Sequence, residues 1–175
     1  MLKKSWLGIL AALVVIGSVG AEQIEFRGGD LLAAEFSTLK PNIKNENPLA
    51  FELPFDRKSY VCVVLKPQRG RNLSIFDYSI ELYGRDYPCI ALRSGNDDFI
   101  YTTDEMKGLD PNQKYALLFV VDGSKVGLDA VEKMNLKANF ADKNASREIP
   151  VKNIKGGGFR SLSSIPDAGN FQVSQ

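Results

Sequence analysis

The chain has 175 residues, 22 of them basic and 21 acidic, for a formal net charge of +1. A balance so near neutral argues against a surface built mainly for nucleic acid or an anionic membrane. Histidine is absent altogether, which removes Ser-His-Asp and Cys-His machinery, histidine-ligated zinc and the usual proton shuttle near neutral pH.

Met1-Leu2-Lys3-Lys4 opens the chain, followed by an apolar stretch from Trp6 to Ile16 and then Gly17-Ser18-Val19-Gly20-Ala21. A basic start, a short apolar core and small residues before a polar segment are the marks of a secretory signal, here 1–21, cut before Glu22. The rival reading, an uncleaved anchor, needs about 20 apolar residues to span a bilayer, and Trp6 to Ala21 supplies only 16. Cleavage leaves 154 residues, and loss of Lys3 and Lys4 turns the net charge to −1. That is one domain with a core of useful size.

Apolar runs at Glu22–Phe26 and Leu31–Phe36 flank Arg27-Gly28-Gly29-Asp30. Thr38–Pro48 is polar, with two prolines, and reads as a loop; Ala50–Leu53 is a short strand candidate. Ser59–Leu65 is apolar at every position from Tyr60 onward, the pattern of a strand covered on both faces. Asn72–Tyr83 alternates, with Phe76, Tyr78, Ile80 and Leu82 inward and Asp77, Ser79 and Glu81 outward, as in a one-sided antiparallel strand. The intervening Lys66-Pro67-Gln68-Arg69-Gly70-Arg71 is the one dense basic patch and reads as the loop of a hairpin joining the two.

Gly84–Pro88 turns into a strand at Cys89–Leu92, and Ser94–Asp98 is a polar loop before a short strand at Phe99–Tyr101. Thr103 is a fair N-cap for one helical turn over Thr103–Met106. Gly108–Lys114 is a polar turn feeding seven apolar residues, Tyr115–Val121, a second strand buried on both faces. Gly123–Asn135 fits a connecting helix, Leu136, Ala138 and Phe140 alternate again, and Glu148–Ile154 is a strand that Pro150 assigns to an edge. Strands between turns every eight to twelve residues indicate an all-β domain over 22–155, followed by a Gly/Ser-rich tail at 156–175.

Leu109, Pro111 and Tyr115 have the spacing L-x-P-x-x-x-Y, followed by Leu117, Phe119 and Val121. This stretch resembles the E–F corner of immunoglobulin-like and fibronectin type III sandwiches, and of the secreted telokin-like domains of bacteria. In that corner a tyrosine hydroxyl bonds back to the backbone just upstream. The resemblance implies an antiparallel Ig-like β-sandwich of about seven to nine strands. It departs from the antibody pattern in having Leu117 two residues after the tyrosine, where a cysteine would stand.

Cys62 and Cys89 both fall in strand-like segments. In an exported protein an even pair is most simply a disulfide, worth about 3–4 kcal/mol in the chain-entropy model; the rival is two buried free thiols. No C-x-x-C spacing suggests redox work. Asn96-Asp97-Asp98, with Asp104 nearby, offers hard oxygen ligands for Ca²⁺ but lacks EF-hand spacing. Asp97, Asp98, Asp104 and Glu105 are the candidate acids of a carboxylate-based hydrolase. Tyr83, Tyr87 and Tyr101 are candidate glycan-stacking rings, although a place at the core edge is the stronger reading for most of them. Asn72-Leu73-Ser74 and Asn144-Ala145-Ser146 match a glycosylation pattern that chance also supplies. The glycine run at 156–158 has neither the lysine nor the strand–helix setting of a phosphate loop. The expectation is therefore an exported, cofactor-free and non-catalytic protein-binding or structural module of the bacterial cell envelope, periplasmic or secreted. A calcium- or glycan-binding module is the alternative, and a hydrolase the weakest reading.

Overall fold

The structure, a computed structural model, describes residues 29–45, 55–67, 72–95, 98–124, 133–139, 144–154 and 158–167. Ten strands lie in it: β1 (Asp30–Ser37), β2 (Ile43–Lys44), β3 (Lys58–Lys66), β4 (Tyr78–Leu82), β5 (Arg85–Ser94), β6 (Phe99–Ile100), β7 (Tyr115–Asp122), β8 (Lys133–Asn139), β9 (Asn144–Pro150) and β10 (Lys152–Asn153). Among the described residues no helix is long and apolar enough to cross a membrane. The segment 1–21 expected to be a signal, the runs at 22–26 and 50–53, the basic loop at 68–71 and most of the connecting helix expected at 123–135 lie outside the described residues; Lys133–Asn135 belong to β8.

The order β10-β1-β3-β7-β5-β4-β8-β9 curls the sheet nearly into a barrel, because β9 and β10 are consecutive and separated only by Val151. The chain leaves β8 at Pro150 and joins β1 at Lys152, where Glu35↔Lys152 and Phe36↔Asn153 pair in parallel. Every other pairing around the ring is antiparallel. Seven strands alternating in direction cannot close without one parallel pair, and the seam at β1 is that pair. Register shifts in β1 between Leu31 and Ala33, and in β5 between Cys89 and Ala91, supply the local bend and twist that closure needs.

The interior takes side chains from the whole ring, including Phe36, Val63, Phe119, Leu92, Ile80, Leu136 and Ile149. A second apolar cluster covers the outer face of β1, β3, β7 and β5, with Leu32, Tyr60, Cys62, Val64, Ile90, Leu118 and Val120. That double burial is why β3 and β7 carry no polar alternation: all eight residues of β7 are buried. The outer face of β4 and β8 meets water instead. Lys137 there bridges Glu81 at 2.5 Å and Asp86 at 2.8 Å, and both strands alternate.

Several expectations are corrected. Cys62 and Cys89 are not bonded. They sit on β3 and β5 with β7 between, opposite Leu118 and Phe119 respectively. Two strand spacings put their Cα atoms about 9–10 Å apart, beyond the span a disulfide bridges. They also face opposite sides of the sheet, Cys62 in the outer cluster and Cys89 in the interior. The hairpin joining β3 to β4 is absent, since β3 pairs with β1 and β7. Phe76 is 66% exposed, because residues 75–77 form a 3-10 turn that breaks the strand's alternation. Thr103–Met106 forms no helical turn; Met106 instead bridges to Leu73. The edge that Pro150 indicated is found, since β9 and β10 stand at the two ends of the sheet order; past Pro150 the chain lies along β1, extended by the Ile154 N–H donating to the Phe36 carbonyl at 2.8 Å.

Candidate functional site

Residues 158–167 run across the outer apolar face as a strap. Leu162 and Ile165 are buried in the outer cluster, and Phe159 packs edge-on against Phe99 with centroids 6.3 Å apart. Beneath the strap lies Glu35, only 1% exposed and the one polar residue between Leu31 and Phe36. A carboxylate buried this far requires a charge partner and hydrogen bonds. Arg160 supplies both, through an ion pair from Nε to Oε1 and a backbone N–H donating to Oε2 at 3.1 Å. The Arg160 carbonyl in turn accepts from the Arg93 guanidinium at 3.0 Å, which lies 4.7 Å over the Phe99 ring. At the far end Lys114 donates to the Ile165 carbonyl. Asp167 pairs with Lys114 at 2.9 Å and Lys66 at 3.2 Å. These two lysines, Lys114 foremost, hold the Asp167 carboxyl below its ordinary range.

A cavity of about 400 Å³ opens beside the strap, lined by Leu32, Ala33, Ala34, Pro150, Val151, Lys152, Arg160, Ile165 and Pro166. It marks where closure fails. Among the described residues β10 pairs with β1 only at Glu35 and Phe36, so no strand covers the outer edge of β1 upstream of them. Ligand pockets begin at about 300 Å³, so the size suits a ligand segment. A second, smaller cavity of about 210 Å³ lies between Pro41, Asn42, Arg93, Asp98, Phe99, Gly158 and Phe159. The buried Arg93 Nε has no hydrogen-bond partner among the described residues.

The sequence-predicted residues are dispersed. Of the candidate calcium ligands, Asn96 and Asp97 lie outside the described residues, and Asp98 pairs with Lys44 at 3.4 Å. Among the described residues no group of three or more Cys, Asp and Glu side chains is placed to hold a metal. Asp104 and Glu105 are exposed. Glu105 acts on Asp77, whose carboxyl is raised first by burial and then by that neighbouring charge. The three tyrosines share no platform. Tyr83 is 67% exposed at the β4–β5 turn, Tyr87 is buried, and Tyr101 packs against the interior. Tyr87 is occupied by an edge contact with Phe55, and Arg85 lies over both rings. Leu109 and Tyr115 do meet the body as a corner should: Leu109 packs on the interior, and the Tyr115 hydroxyl accepts from the Asp110 N–H at 3.3 Å. Pro111 forms the turn between them. Both thiols are fully buried, and burial pushes each up to about 12. Sequence reasoning missed Glu35 and Arg160. The signal for Glu35 was there, a single acid within Leu31–Phe36, but its partner lies 125 residues away.

Neither a family model, a curated protein nor a solved structure matches this chain.

Proposed function

We propose that the protein is an exported, non-catalytic binding module of the bacterial cell envelope, whose cleft beside β1 takes an extended apolar segment of a partner protein. The observation that carries this reading is the 400 Å³ cleft along the outer edge of β1. A strand edge offers backbone donors and acceptors to an added strand, while pockets for alternate side chains give selectivity. Leu32, Ala33, Val151 and Ile165 supply the apolar wall, and exposed Lys152 at the mouth favours a segment that also carries an acid. The Lys-led, apolar 1–21 segment supports export. Free thiols are consistent with it, because a buried thiol that stays protonated is inert toward oxidants. The Tyr115 hydroxyl on the Asp110 N–H supports kinship with Ig-like sandwiches, on which the nearly closed barrel is then a variation.

The test is selection of displayed peptides on the mature chain, repeated on Ala33→Trp, which fills the cleft from a partly exposed position. The expected result is a family of apolar, acid-bearing peptides that bind in extended form and weaken at least about tenfold on the variant. No enrichment, or enrichment blind to Ala33→Trp, refutes the cleft as the site.

A further inference from the structure

The open edge of β1 has a definite end. β10 pairs with β1 at Glu35 and Phe36, so a segment lying along the edge upstream of them cannot continue past Ala34 in the plane of the sheet. On the outer side of that point Arg160 stands over Glu35. On the inner side Ala34, Phe36 and Val151 belong to the packed interior. A chain lying along this edge therefore either stops there or turns sharply out of the cleft. Upstream of the seam β1 offers Asp30 to Ala34, with one residue taken up by the register shift between Leu31 and Ala33. An extended segment of about four residues fits opposite them, at about 3.3 Å per residue. The charge at the downstream end is unbalanced. Val151 belongs to the interior, so Lys152, the next residue along the strand, projects to the outer face, where Glu35 and Arg160 meet. Lys152 is exposed and has no ion-pair partner among the described residues. Arg160 carries five N–H donors, more than one carboxylate takes up. Both line the cleft, so two cations there answer a single carboxylate.

Taking the cleft as the binding site, and resting on that reading, we infer that its occupant is the C-terminus of a partner chain. About four apolar residues lie in extended form, and a free terminal carboxylate ends them at Lys152 and Arg160. A terminus needs no way out past β10, which an internal segment does. The two cations welcome the carboxylate of a C-terminus and repel the ammonium of an N-terminus. The charge fixes the direction too. With its carboxylate at Lys152, the segment enters at the Asp30 end and runs the same way as β1. It then extends upstream the parallel ladder that β10 begins at Glu35 and Phe36. Leu32, Ala33, Ile165 and Pro166 face its side chains and set their apolar character. An acid within the segment no longer has a role, because the terminal carboxylate supplies the charge.

Two synthetic pentapeptide libraries test it, both drawn from Ala, Val, Leu, Ile and Phe and labelled at the N-terminus with a fluorophore. One ends in a free carboxylate, the other in an amide. Each is passed over the immobilised wild-type chain, and the retained sequences are titrated by fluorescence anisotropy, as acid and as amide, into wild type, Lys152→Met and Ala33→Trp. Lys152 is exposed, so its replacement leaves the core intact. The expected result is retention of free acids that bind wild type at least about tenfold more tightly than their own amides. Lys152→Met lowers that preference, and Ala33→Trp weakens acid and amide together. Acids and amides that bind alike, both weakened by Ala33→Trp, overturn the terminal carboxylate while leaving the cleft to internal segments. An acid preference unchanged in Lys152→Met overturns it as well, since the carboxylate is then read elsewhere. Binding of neither library up to millimolar peptide also overturns it, whether or not displayed internal segments bind at the cleft.

Discussion

Arg160→Met isolates the contact on which the strap depends. Glu35 is 1% exposed, and its charge is answered by the Arg160 side chain and backbone N–H. Removing one partner of a buried pair costs about 3–5 kcal/mol, because the other charge is left uncompensated. The Arg160 side chain is 36% exposed, so water reaches the vacated position, and the backbone N–H remains; the lower end, about 3 kcal/mol, is the expected loss. For a domain of this size about 3 kcal/mol lowers Tm by roughly 6–12 °C. Glu35→Leu combined with Arg160→Met removes both charges and leaves an apolar contact in the outer cluster, which is neutral or better in comparable pairs. The assay is urea unfolding of the wild type, the single variant and the double variant. The expected order puts the single variant lowest and the double within about 1 kcal/mol of wild type. Because the pair is buried, 0.5 M salt leaves the order unchanged. A single variant within about 0.5 kcal/mol of wild type, or a double variant lower still, refutes the assignment of Glu35 as a buried, strap-neutralised charge.

Three further outcomes are expected. Both thiols, held near 12 by burial, stay unreactive toward a thiol reagent in the native protein and both react in denaturant, while reductant leaves Tm unchanged; a fall in Tm on reduction restores the bridge between Cys62 and Cys89. Tyr115→Phe loses the hydrogen bond from the Asp110 N–H and about 1 kcal/mol in urea unfolding, and an unchanged midpoint removes the corner from the list of stabilising contacts. Asp77, raised by burial and by Glu105, contributes stability that is full below the ordinary carboxylate range near pH 4 and is lost as pH rises through its folded pKa. Asp77→Asn is then more stable at pH 7 by a few tenths of a kcal/mol, the scale of partly exposed charges, with the advantage gone at pH 3; a gain that persists at pH 3 is not electrostatic.

How much of this was legible depended on which physical signal each residue carried. Two-sided burial writes itself into composition, and Ser59–Leu65 and Tyr115–Val121 were readable as central strands for that reason. What covers each face is not written there. The neighbours of β3 are β1 and β7, so a basic loop at 66–71 suggested a hairpin that does not exist. Alternation over Asn72–Tyr83 concealed a local signal, Ser74 three residues before Asp77, whose hydroxyl accepts from the Phe76 N–H at 3.3 Å. That is the start of a capped turn, and it turns Phe76 outward. Cysteine parity says nothing about which face of a sheet a residue takes, and β7 between the two strands decided the matter. The strap was masked by its serines, although Phe159, Leu162 and Ile165 recur at intervals of three.

The location of the candidate site follows from the topology more than from any motif. Seven alternating strands must close through one parallel pair, and here that pair amounts to two residues of β10 on β1. Pro150 marks the place where the chain changes partner, since it ends the pairing with Lys133 and cannot itself donate a ladder hydrogen bond. With β10 pairing limited to Glu35 and Phe36, the upstream half of β1 has, among the described residues, a cleft on the side away from β3. Glu35 sits at the boundary between paired and unpaired seam, in register with Lys152 and beneath Arg160. A buried charge at that point costs stability unless the strap is in place, which ties the covering of the outer face to the integrity of the seam. Opening the one is therefore expected to loosen the other, and a partner segment that enters along β1 competes at the same edge with the contact that keeps the barrel shut.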